Sequence, residues 1–62
     1  MTLHDAAMAM LKEAIAVIPH RLATPLVPEG FRCSQIEAYL VDNGYIEITD
    51  EVSKKFKLLH NI

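Results

Sequence analysis

Tryptophan is absent from these 62 residues, glycine occurs twice and cysteine once. The lone Cys33 cannot close an internal disulfide and agrees with a reducing compartment. His4, His20 and His60 lie far from it and from one another in sequence, without the close ligand pairs of recognisable zinc motifs, so neither metal nor cofactor is expected. Gly30 and Gly44 each have a turn or helix-end role, which leaves no glycine-rich loop to cradle a phosphate. The apolar stretch from Ala14 to Ile18 is far too short to cross a bilayer, and the opening Met-Thr-Leu-His-Asp lacks the basic start of a secretory signal. The expectation is a cytoplasmic protein with no membrane partner.

What is present is apolar surface. Hydrophobic residues make up 52% of the chain against 23% charged, with a net charge of −2, too apolar and too weakly charged for disorder. The length leaves room for one domain, residues 1–62, and no second. A chain this short buries only about 60% of the surface it exposes when unfolded, so its core is thin. With no disulfide or metal to staple it, oligomerisation is the remaining ordinary device, and a homodimer is the default expectation.

Three helical patterns follow. The first runs from Thr2, a cap with Asp5 three residues on, to Ile18, with Pro19 as its stop. Leu3, Ala7, Met10, Ala14 and Val17 form one row at helical spacing and Met8, Leu11, Ile15 and Ile18 the next, an apolar face wide enough to need covering on two sides. A second copy of the helix would cover it. Between Pro19 and Arg32 three prolines forbid a continuous helix. Val27-Pro28-Glu29-Gly30 reads as a type I turn, with Leu22, Leu26, Val27 and Phe31 free to pin this connector to the core.

Ser34-Gln35-Ile36-Glu37 reads as a capping box opening a second helix, from about Gln35 to Asn43, with Asn43-Gly44 as its left-handed stop. Tyr45 to Thr49 alternates apolar and polar positions like a half-buried strand, which must pair with the connector or with another subunit. The last segment reads as a third helix opening at Thr49 or Asp50. Its acids come first and its lysines last, and Val52, Phe56 and Leu59 form an inward stripe with Leu58 and Ile62 beside it. The predicted fold is therefore mainly α: a small three-helix domain with one short β-strand, in a minimal β-hairpin or winged-helix-like arrangement.

The run from Ser34 to Leu40, followed by Asn43-Gly44-Tyr45-Ile46-Glu47-Ile48-Thr49-Asp50-Glu51, resembles part of a bacterial winged-helix domain. That resemblance implies a DNA-binding regulator. Its contacts would be Arg32, Gln35, Lys54, Lys55 and Lys57. The residues themselves point elsewhere. Between Cys33 and Ser53 stand five acids, Glu37, Asp42, Glu47, Asp50 and Glu51, and no Lys or Arg, a stretch that repels phosphate and that reads either as an ordinary solvated face or as a surface for a basic region of another protein, five acids being too few to favour mimicry of nucleic-acid charge.

Catalysis is not expected. Cys33 with a histidine, or Ser34 with His20 and an acid, can be drawn as nucleophile and base, but a buried small hydrophobe and a helix cap are the simpler roles. The sequence is read as a non-enzymatic regulatory or adaptor protein that binds another protein or itself, with no evident small-molecule substrate. Its contacts would be Met8, Leu11 and Ile15 on the first helix and Leu26, Val27 and Phe31 on the connector, residues that serve equally as core.

Overall fold

The computed structural model describes residues 1–16 and 20–60. Helix α1 spans Leu3–Ile15, a single 3-10 turn spans Thr24–Leu26 and helix α2 spans Cys33–Asp42. Strands β1 (Ile46–Asp50) and β2 (Lys55–Leu58) complete the order. The expected helix end at Val17, Ile18 and Pro19, and Ile62 beyond the last strand, lie outside the described residues.

Thr2 caps α1 as its sequence suggests: its Oγ1 accepts the Asp5 amide at 3.1 Å. Among the described residues the apolar face of α1 is covered at its centre, while Leu3, Met8 and Ile15 at its edges are half-buried. Ala6, Ala7, Met10, Leu11 and Ala14 are fully buried, and with Leu22, Ile36, Leu40, Ile46 and Phe56 they form the core. The helix closes on α2 and the 3-10 turn, and three of its five buried positions are alanines, which leave little between the backbones.

Helix α2 begins earlier than the sequence suggests. Arg32 is its N-cap, without a side-chain cap, and its carbonyl already accepts the Ile36 amide at 3.1 Å. Ser34 thus lies inside the first turn rather than capping it, and Glu37 binds Lys54 instead of completing a capping box. The connector turn also moves by one residue. Phe31 donates its amide to the Pro28 carbonyl at 3.2 Å, which puts Gly30, at φ +91°, in the third turn position, where a positive φ suits a type II turn.

At the other end of α2 the chain reverses through a Schellman motif. The Tyr45 amide donates to the Leu40 carbonyl at 2.9 Å and the Gly44 amide to the Val41 carbonyl at 3.0 Å, with Gly44 at φ +75°. This stop, legible in Asn43-Gly44, turns the chain straight into β1.

The three-helix expectation is overturned in the last segment. Among the described residues there are two α-helices and a two-stranded antiparallel hairpin, and β2 occupies the place of the third helix. Ile46 pairs with Leu58, Glu47 with Lys57 and Ile48 with Phe56, before an irregularity at Thr49 shifts the register so that Asp50 faces Lys55. Asp50 is the local cause. Its Oδ1 accepts the Val52 amide at 3.0 Å and the Ser53 amide at 3.5 Å, which closes a turn where a helix would have started. Lys55-Phe56-Lys57-Leu58 also alternates, with Phe56 buried and both lysines exposed, so a period of two had passed for a helical stripe. Val52, assigned to the core by that stripe, is 96% exposed at the hairpin tip.

The strand expected to need an outside partner therefore finds one in β2, and β2 in turn is flanked by the connector. The Phe56 amide donates to the His20 carbonyl at 3.1 Å, the Leu22 amide to the Lys54 carbonyl at 3.0 Å, and Arg21 bridges Lys55. Three measurements of urea unfolding check this architecture. Leu40→Ala lowers the unfolding free energy by about 2–5 kcal/mol, as cavity formation in a core requires. Gly44→Ala lowers it by about 1–2 kcal/mol through its left-handed backbone. Val52→Ala changes it by less than about 0.5 kcal/mol, whereas a helical Val52 in the core would cost several times more.

Candidate functional site

Helix α2 turns Ile36 and Leu40 into the core, which leaves the stripe Ser34, Glu37, Ala38 and Val41 on an adjoining face at helical spacing. The Schellman reversal then lays β1 back alongside that stripe. Between them runs an open groove of about 680 Å³, with Ile46 and Ile48 on the strand side and Leu59 just past β2. Ala38 is exposed, Val41 is 41% exposed and Leu59 is 48% exposed, so the groove offers an apolar strip to solvent. Glu37, Asp42, Glu47 and Glu51 surround it, and among the described residues Lys54 is the one cation that lines it.

Lys54 holds a left-handed backbone conformation, φ +59°, unusual for a residue with a side chain. Its Nζ lies 3.0 Å from the Glu37 Oε1 and 3.2 Å from the Glu51 Oε1, bridging helix and hairpin. The Glu37 side chain is only 17% exposed and is the most enclosed member of the trio. The hydrogen bond to Glu37, and then that to Glu51, raises the Lys54 pKa above its ordinary value. Asp50 shifts the other way: the Val52 amide, followed by Ser53, holds its carboxyl below the usual range.

The sequence-derived contact residues lie outside the lining of this groove. Leu11 is fully buried, and Met8, Ile15, Leu26, Val27 and Phe31 are half-buried against the core. The basic residues of the winged-helix resemblance meet acids: Lys54 is paired with Glu37 and Glu51, Lys55 stands across from Asp50 and Lys57 across from Glu47. Arg32 and Gln35 are exposed at the start of α2, where Arg32 is the N-cap. Ala38 and Val41 could have been picked out as the flank of α2, but their role depends on β1 lying beside them. Leu59 was hidden because a helical reading turned it inward.

The groups that can be drawn as catalytic do not come together. The Cys33 thiol points to the Leu22 carbonyl at 3.9 Å, and burial, aided by the charge of Glu37, pushes its pKa up, away from a thiolate. Each histidine meets a different aromatic ring. His4 Nδ1 lies 2.6 Å from the Tyr39 hydroxyl, His20 stacks on Phe56 and His60 packs edge-on against Tyr45. Among the described residues no three His, Cys, Asp or Glu side chains are grouped to hold a metal ion, and no helix is long and apolar enough to cross a membrane.

The depressed Asp50 carboxyl gives a pH prediction with a definite sign. The ionised form is the one that the turn stabilises, so its contribution is fully present above the unfolded value of about 3.9 and is lost as pH falls through the lower folded value. Urea unfolding of the wild type and Asp50→Ala should therefore show a stability gap that is constant near neutral pH and narrows in that acid window; a gap independent of pH would refute the assignment. No family model, curated protein or solved structure matches the chain.

Proposed function

We propose that this chain is a non-enzymatic regulatory or adaptor module that binds another protein through the groove between α2 and β1. The observation that carries this reading is the exposed strip of Ala38, Val41 and Leu59 beside a core that is already closed without it. Exposed apolar surface framed by polar residues is characteristic of protein interaction sites. The acids around the strip oppose phosphate and favour a protein surface over a nucleic acid. The hairpin lysines stand beside or across from acids, Lys54 by Glu37 and Glu51, Lys55 across from Asp50 and Lys57 across from Glu47, which speaks against a DNA-reading use of this surface.

Selection of peptides from a displayed random library against the folded chain tests the proposal. Wild-type protein should enrich binders whose addition shifts the backbone amide resonances of Ala38, Val41 and Leu59. Val41→Glu, a surface change expected to alter stability by less than about 0.5 kcal/mol, should abolish that enrichment. Enrichment unaffected by Val41→Glu, or binding to duplex DNA that falls steeply with salt in place of peptide binding, would overturn the reading.

A further inference from the structure

We infer that the groove receives a segment of a partner protein in which Lys or Arg side chains flank apolar ones, and that Lys54 occupies the cation position in the free protein. This rests on the protein-binding reading above and specifies its ligand. Among the described residues four carboxylates, Glu37, Asp42, Glu47 and Glu51, line the groove against one ammonium, Lys54; with Glu47 facing Lys57 across the hairpin, the other three acids leave a surplus of two negative charges beside an apolar strip. A segment made only of apolar side chains would leave that surplus uncompensated as it displaced water, whereas an anionic segment would be repelled.

Lys54 marks where the first cation belongs. Its ammonium sits between Glu37 on the helix and Glu51 on the hairpin, and Glu37 is the most enclosed of these three side chains. The ammonium reaches that place from the groove's own wall, carried by a residue whose backbone has the uncommon positive φ. An incoming lysine or arginine therefore competes with Lys54 for the same pair of acids, while Asp42 remains for a second cation. The partner's apolar side chains cover Ala38, Val41 and Leu59 between those charges.

The test uses the full chain and two short synthetic peptides, one with lysines flanking two leucines and one with glutamine in place of each lysine. Their affinities are read from nuclear magnetic resonance titration. The lysine peptide should shift the amides of Ala38, Val41 and Leu59 and bind more tightly than the glutamine peptide, by about twofold to fivefold for each acid engaged. That preference should fade as salt is raised. Lys54→Asn removes the competing ammonium while keeping a residue that tolerates the left-handed conformation. It should strengthen lysine-peptide binding by a similar factor, whereas Lys54→Arg should leave the affinity near that of the wild type.

Equal binding of both peptides in the groove would overturn the cationic ligand and leave the protein-binding reading standing. Failure of both peptides, together with failure of library selection, would overturn both. Weaker binding to a Lys54→Asn protein whose urea unfolding is unchanged would show that Lys54 contacts the ligand instead of competing with it. Should Lys54→Asn unsettle the turn, Glu37→Gln decides: it must reduce the preference for lysine over glutamine, and an unaltered preference would overturn the proposed cation position.

Discussion

The close packing of α1 onto α2 is the constraint on which the rest of the molecule depends. Met10 and Leu11 fill the centre of the core, and Ala6, Ala7 and Ala14 bring the helix backbone near enough for Ile36, Leu40, Ile46 and Phe56 to close over it. In a chain of this size no other element can replace that contact, because small domains have little interior to redistribute. Once the inward face of α2 is fixed by Ile36 and Leu40, helical geometry decides that Ala38 and Val41 lie beside the returning strand.

Much of this is legible in the residues, and the exceptions share a cause. Thr2 and Asn43-Gly44 act within a few residues of themselves, and the sequence assigns both correctly as a cap and a stop. The face of α2 is also plain from Ile36 and Leu40. Thr49 to Leu59 is ambiguous because both periods fit so short a stretch: Val52, Phe56 and Leu59 suit a helix, and Phe56 and Leu58 suit a strand. What settles it is an acceptor, the Asp50 carboxylate, together with a long-range partner, the connector at His20 and Leu22. Neither is visible to a local pattern. The same holds for Ser34, whose capping role disappears once the ladder begins at Arg32 and Glu37 turns to Lys54.

The groove escapes a sequence reading for a related reason. Its acids are evident as a run without a cation from Cys33 to Ser53, but the run alone describes an ordinary solvated stretch. Folding brings four of those carboxylates around one apolar strip and, among the described residues, adds Lys54 from just beyond the run. Individually, such exposed ion pairs contribute little to stability. Their importance lies in the charge they leave unbalanced at a surface where Val41 and Leu59 already face water.

The strand order has a consequence for how the molecule assembles. Because β2 is held on one side by β1 and on the other by the segment around Arg21, the C-terminal hairpin is completed by residues from the first half of the chain. Those contacts are distant in sequence, so loop closure must be accomplished before they contribute. The hairpin itself pairs locally, but its docking onto the connector comes later, and Phe56 gains the cover of that segment only once Leu22 has docked against Lys54.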